Sequence, residues 1–262
     1  MTTPQNPVLQ KWMAERTDLS RRAAEQAIQE GRVKLNQTTA KLGDRVSEDD
    51  AVWLDGDMIR QESPSMVYWV LNKPDQLLST FAKEEERPTL ATLPAIAKLP
   101  FRVWSVGRLD YRTEGLLILT NDGQLAHNLS HPSFHIPRHY QVLVNKKLTP
   151  EDLKKIRHGF ELDAGKPPVK CKIDFLGGQN MGATTGKWYR VTVHEGRNRL
   201  VRRVIESCDR KVIRLIRDAF GEINLPTDLA PGKIRAMTPE QIRKLKHPQQ
   251  EAKTKKRPTK KS

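Results

Sequence analysis

The stretch Gly107-Arg108-Leu109-Asp110-Tyr111-Arg112-Thr113-Glu114-Gly115-Leu116-Leu117-Ile118-Leu119-Thr120-Asn121-Asp122-Gly123 decides how the rest of the chain is read. Its apolar run, Leu116 to Leu119, is bounded by Thr113-Glu114-Gly115 on one side and Asn121-Asp122-Gly123 on the other. Such a run is too short for a helix and too apolar for a surface loop, so it predicts a buried strand fed by a loop. Asp110 then stands at the mouth of that strand. By spacing alone, a lone Asp in a loop is far more often a solvated turn residue than a catalyst.

Outward from this stretch, the chain of 262 residues is long enough for one or two domains and for a sizeable core. No run approaches the roughly 18 apolar residues of a membrane span. The opening MTTPQNPVLQ has neither the basic flank nor the apolar centre of a signal peptide, so a cytoplasmic location is expected. Cys171 and Cys208 stand far apart with no CxxC, which predicts two packing residues rather than a disulfide or a zinc knuckle. The net charge of +15 is unevenly spread: residues 1–62 carry −2, residues 63–242 carry +9 and residues 243–262 carry +8. Clustering of one sign goes beyond what solubility asks and points to a polyanionic partner, nucleic acid above all.

Along the chain, Val8 to Arg16 predicts a short helix with Leu9, Trp12 and Met13 on one face. Ser20 caps a second helix, Arg21 to Glu30, closed by Gly31. Val33 and Leu35, then Val52 and Leu54, alternate as short strands, and residues 58–66 read as a linker. Val67 to Leu71 predicts a strand that Pro74 terminates, with Lys73 projecting from the turn, and residues 75–100 read as a surface excursion. His127, His131, His135 and His139 recur every four residues, but Pro132 and Pro137 rule out the single helix that would align them for a metal, and no metal site is expected. Arg138 to Val144 predicts a strand containing Tyr140. Thr149 to Arg157 is a helix capped by Thr149 and opened by Pro150, and Thr238, Pro239 and Gln241 repeat a capped start. Residues 165–187 hold two strands' worth of sequence interrupted at Gly177-Gly178 and again at Gly182 to Gly186. Trp188 to Val193 and Lys211 to Arg217 read as strands, flanking a segment in which Arg197 to Arg217 carries 8 basic against 2 acidic residues. The tail lacks any aliphatic residue larger than Ala and is expected to be disordered.

Three motifs carry a resemblance to a known family. GRLDYRTEGLLILTNDG is similar to the GRLD signature of the RsuA/RluB-type rRNA pseudouridine synthases, RHYQV resembles their (K/R)xYxV element, and EGRNRLVRR resembles their EGRNRQVRRM motif. LSRRAAEQAIQEGRVKLN with LGDRV resembles the S4 RNA-binding domain. The resemblance implies an α+β chain: a small α/β S4-like domain over residues 1–60, a pseudouridine synthase domain over 66–245 built on a mixed, largely antiparallel sheet with flanking helices, and a basic tail over 246–262. It implies isomerisation of a specific uridine of ribosomal RNA, of the large subunit, to pseudouridine, without cofactor or metal.

On the same resemblance Asp110 is the nucleophile, attacking either ribose C1′ or uracil C6. Tyr140 stacks on the target base, a contact worth about 1 to 3 kcal/mol that any base can accept. Arg202 pairs with Asp110, and Leu215 presents an apolar side chain to the base. Arg108 steadies the loop or a phosphate, Thr113 closes the turn, and Lys73, Arg197, Arg199 and Arg203 are further candidates for substrate contact. Lys73 lies in a segment resembling NKPxG, with Gln76 in place of the usual Gly, and Leu200 replaces the usual Gln of the basic motif. Arg21, Arg22, Arg32 and Lys34 match the RNA-facing positions of the S4 domain. The expected partner is ribosomal RNA, within an assembling subunit, for a monomer with no membrane association. Two rival functions remain open on the residues: a non-catalytic S4-type RNA-binding or ribosome-assembly factor, for which Asp110 is superfluous, and a nuclease or glycosidase. The second needs a metal cluster or a second placed carboxylate, and none stands beside Asp110 in the sequence.

Overall fold

The computed structural model describes residues 6–62, 65–82, 85–99, 102–181 and 185–248; the tail expected to be disordered lies outside them from residue 249 on. The chain divides into two compact units, Met1–Met66 with Leu99–Val103, and Val67–Lys98 with Trp104–Ser262.

In the first unit, α1 (Leu9–Arg16) packs on α2 (Arg21–Gln29). The N-terminus of α1 has no side-chain cap; instead its first amide, Leu9, donates to the Asp44 carbonyl at 2.7 Å. For α2 the expected Ser20 cap is present, its hydroxyl accepting from the Ala23 amide at 2.9 Å, and Gly31 with φ 73° turns the chain out of the helix. Strands β1 (Val33–Leu35), β2 (Thr38–Thr39), β3 (Val52–Leu54) and β4 (Asp57–Met58) form a sheet in the order β2-β1-β3-β4. Asp55 and Gly56, both at positive φ, make the tight β3–β4 turn, as Asp-Gly does in hairpins. Leu9, Trp12, Met13, Ala24, Ile28, Val33 and Val52 close the core between helices and sheet. The segment 99–103 joins this unit through Arg102, whose Nη1 donates to the Asp18 carbonyl at 2.8 Å.

The second unit is organised on one mixed sheet. Its strands are β5 (Tyr68–Lys73), β6 (Trp104–Ser105), β7 (Glu114–Thr120), β8 (Arg138–Val144), β9 (Lys172–Asn180), β10 (Thr185–Val193), β11 (Val212–Phe220), β12 (Ile223–Asn224) and β13 (Ile234–Ala236). The main path runs β13-β5-β7-β11-β8-β10-β9, with β6 on β7 and β12 on β11. The β7–β11 pair is parallel and the other pairs are antiparallel, which gives the mixed, largely antiparallel sheet. Helices α3 (Pro94–Ala97), α4 (Gly123–Ser130), α5 (Pro150–His158), α6 (Leu200–Glu206) and α7 (Pro239–Lys246) flank it. One core gathers Val70, Leu116 and Ile118 of the sheet with Leu125, Leu129 and Leu245; another gathers Val142, Tyr189, Val191 and Leu215 with Ile156 and Val204. Among the described residues no helix is long and apolar enough to cross a membrane.

Four expectations are corrected. The linker begins later than residue 58, because Met58 pairs with Trp53 and Ile59 is buried in the first core. Residues 75–98 are not a mere surface excursion, because Leu77, Thr89, Leu90 and Ile96 are buried. Gly177-Gly178 does not interrupt a strand: β9 runs through it, and the extra residue is absorbed as a bulge opposite Trp188 and Tyr189, where Gly177 takes φ 143°. Of the second interruption, residues 182–184 lie outside the described residues. Lys246 belongs to α7, not to the tail, and its Nζ lies 5.3 Å from the centre of the Tyr68 ring.

Candidate active site

The loop that feeds β7 is held by its own main chain. Five consecutive carbonyls, residues 109 to 113, each accept a hydrogen bond. Ser79 Oγ donates to Leu109 O at 2.8 Å, the Thr113 amide to Asp110 O at 2.9 Å, and Arg202 Nη2 to Arg112 O at 2.6 Å. Lys73 Nζ donates to Tyr111 O at 3.4 Å and to Thr113 O at 2.8 Å, and Leu77 N also reaches Tyr111 O. Buried carbonyls left unmatched would each cost on the order of 1 to 3 kcal/mol, so this complete pairing fixes the loop's path. Arg87 lies over the Tyr111 ring at 5.0 Å.

Asp110 is thereby held half-buried at the edge of a cleft of about 680 Å³ whose lining includes Arg108, Tyr140, Leu215, Arg138 and Arg217. Among the described residues its carboxylate makes no ion pair within 4 Å, yet it lies in the electrostatic field of both Lys73 and Arg202. Burial holds the Lys73 ammonium at about 8, well below its ordinary 10.5, against the pull of Asp75, Glu114 and Asp110. Burial likewise lowers Arg202, opposed by Asp110, Glu206 and Asp75.

Of the residues singled out in the sequence, Asp110, Arg108, Thr113, Tyr140, Leu215, Arg197 and Arg199 line this cleft. Lys73 does not project from a turn: it is the last residue of β5, opposite Gly115 and fully buried, and among the described residues its ammonium reaches only carbonyls, so an RNA contact is replaced by a loop-holding one. Arg202 faces the Asp110 loop but donates to its backbone instead of pairing directly with the carboxylate. Arg203 is engaged by Asp163 at 2.7 Å and by the Leu162 carbonyl, which leaves it off the cleft wall. Arg197 is tied to Glu195 at 2.7 Å, and Arg199, at φ 50°, pairs with Glu206 at 3.2 Å. Thr113 closes the turn with its amide, while its buried hydroxyl has no hydrogen-bond partner among the described residues.

In the first unit Arg21 and Arg22 are exposed at the start of α2, Arg32 is clasped by Asp55 and Glu30, and Lys34 lies beside Trp53 on the outer face of the sheet. Sequence reasoning passed over Ser79, Arg138 and Arg217. The alternation Leu215, Arg217, Ala219 on β11 carried a signal for Arg217, since it puts a cation on the same inward face as Leu215. Among the described residues no group of three or more His, Cys, Asp or Glu is placed to hold a metal.

The sequence pattern of RNA pseudouridylate synthases matches residues 67–207, and that of the S4 domain matches residues 9–52. This chain belongs to the RNA pseudouridylate synthase family. The ribosomal large subunit pseudouridine synthase B of Bacillus subtilis is 36% identical over 91% of this chain and 95% of its own length. The protein of the same description from Yersinia pestis is 40% identical over 86% of this chain and 70% of its own length. A solved pseudouridylate synthase superposes with a TM-score of 0.60 at 27% identity, covering 91% of this chain and 99% of that one. RNA pseudouridylate synthases are isomerases: they break the N-glycosidic bond of a uridine and rejoin the uracil to the ribose through C5. The non-catalytic alternative therefore gives way to an enzyme.

Proposed function

We propose that this synthase acts on ribosomal RNA of the large subunit, with Asp110 as the nucleophile. The carrying observation is the Asp110 loop itself, in which all five carbonyls from 109 to 113 are satisfied while the carboxylate, among the described residues, is left without an ion pair at the cleft. A nucleophile must be both fixed in direction and free of a tight partner, and this loop provides both. Arg202 acts through the loop backbone and through its field rather than by clamping the carboxylate. A target uridine within folded RNA is flipped out at a cost of a few kcal/mol, which stacking on Tyr140 and a cleft rich in arginine offset. Leu215 offers the apolar side of the base its contact. The exposed Arg21 and Arg22, with Lys34, give the S4 unit its phosphate contacts, and Arg32 contributes less because its charge is matched by Asp55 and Glu30.

The choice of ribosomal RNA is supported by the descriptions of the Bacillus subtilis and Yersinia pestis proteins. The enzyme works as a monomer in the cytoplasm, on an assembling subunit in which the target is still accessible. Mapping pseudouridines in ribosomal RNA from cells with and without this protein tests the assignment. One uridine of the large-subunit RNA should lose its modification when the protein is absent. A loss confined to small-subunit or transfer RNA contradicts it.

A further inference from the structure

Two arginines of the cleft have no acid to answer them. Arg217 on β11 is 2% exposed and Arg138 at the start of β8 is 9% exposed, and among the described residues no carboxylate acts on either. Both guanidinium centres lie 5.4 Å from the Phe220 ring, and each lowers its charge cost by donating to main chain: Arg138 Nη1 to Ile136 O at 3.2 Å, Arg217 Nε to Leu116 O at 2.9 Å. Removing a cation from water without a counter-charge costs several kcal/mol, so a fold retains such a pair only where something else uses it. What they share is Tyr140. Arg217 faces Tyr140 across the β11–β8 ladder, Arg138 stands two residues before Tyr140 on β8, and all three line the cleft, where the Tyr140 phenol opposes the lowering of both guanidiniums by burial. Arg217 Nη2 is buried with no hydrogen-bond partner among the described residues.

We infer that Arg217 is a positioning residue that works through Tyr140: by donating to the phenol oxygen it fixes the ring over the cleft and leaves the phenol O–H to point at the bound base. The site permits this because Arg217 is itself immobile. Its backbone is locked between Gly115 of β7 and Tyr140 of β8, and its Nε is anchored to the strand that follows the Asp110 loop. The inference rests on the reading of Tyr140 as the side chain that meets the base.

The test is a double-mutant cycle on the full chain, with kcat and KM for a short RNA substrate. Tyr140→Phe keeps the ring and removes the hydroxyl, and Arg217→Met removes the charge at similar volume. Each is expected to lower kcat about tenfold with little change in KM, and the double variant should be no slower than the slower single, because both remove one interaction. Arg217→Lys, which keeps a donor, should recover part of the Arg217→Met loss when Tyr140 is intact and none of it when combined with Tyr140→Phe; it also serves as the second corner of the cycle if Arg217→Met does not fold. Losses that multiply mean that Arg217 is merely a staple of the sheet and overturn the inference. So does a Tyr140→Phe enzyme at full speed with Arg217→Met impaired. In either of those outcomes the wild type still forms pseudouridine, which keeps the failure of this inference apart from a failure of the proposed function.

Discussion

An ammonium buried beneath the Asp110 loop, that of Lys73, links the stability of the fold to pH. In the folded chain it titrates at about 8, against 10.5 for an unperturbed lysine. Between those values the unfolded chain holds a proton that the folded chain has released, so the contribution of Lys73 to stability rises with pH across that window and is lost as pH falls through 8. Urea unfolding of the wild type and of Lys73→Met should show the wild type gaining about 2 kcal/mol relative to the variant between pH 7.5 and 9.5. A difference that stays flat means the ammonium is not desolvated. Nothing in the sequence announces this role. Period two places Lys73 on the same side of β5 as Trp69 and Leu71, but the three carbonyls that accept its hydrogen bonds come from Pro74 and from a loop about 40 residues away. The same holds for Arg203, whose partner Asp163 is brought to it only by folding.

At the scale of elements, what was legible is what is local. Helix caps at Ser20, Thr149 and Thr238, the strand after Gly115 and the strand around Tyr140 follow from side chains within a few residues. The parallel pairing of β7 with β11 is not local, and it depends on one glycine. Gly115 has φ 101°, and a Cβ there would collide with the carbonyl oxygen of Arg217. Gly107, at the other end of the loop, has φ 69° with open space where a Cβ would go. Gly107→Ala should therefore cost only conformational strain, about 1 kcal/mol, whereas Gly115→Ala adds a forced separation of the central strands and should cost about 3 kcal/mol or more by denaturant unfolding. Equal costs at the two positions would show that the β7–β11 contact is not as close as described. The burial of Leu77, Thr89, Leu90 and Ile96 was illegible for a related reason: these residues are spaced irregularly, and it is Ser79's exchange of hydrogen bonds with Leu109 that ties this stretch to the site.

For the whole molecule, affinity and turnover are separate properties. Affinity for RNA is set by charge distributed over the chain, −2 in the first 62 residues, +9 in the middle and +8 in the last twenty, and removing one carboxylate from such a field changes it little. Composition made that partner class legible, but not which arginines are free; Arg197, Arg199 and Arg203 are matched by acids, while Arg138 and Arg217, among the described residues, are not. In the proposed function turnover is set by Asp110, whose placement at the strand mouth was read from the apolar run that follows it and whose five-carbonyl cradle was not. The two properties are separated by Asp110→Asn, which preserves shape and removes the anion. Measured side by side on one RNA, wild type and variant should bind within about twofold of each other, while pseudouridine formation by the variant should fall by at least about 10⁴, about 5.5 kcal/mol of transition-state stabilisation. Pseudouridine formed by the Asn variant at a rate comparable to wild type would contradict the assignment of Asp110 as the nucleophile.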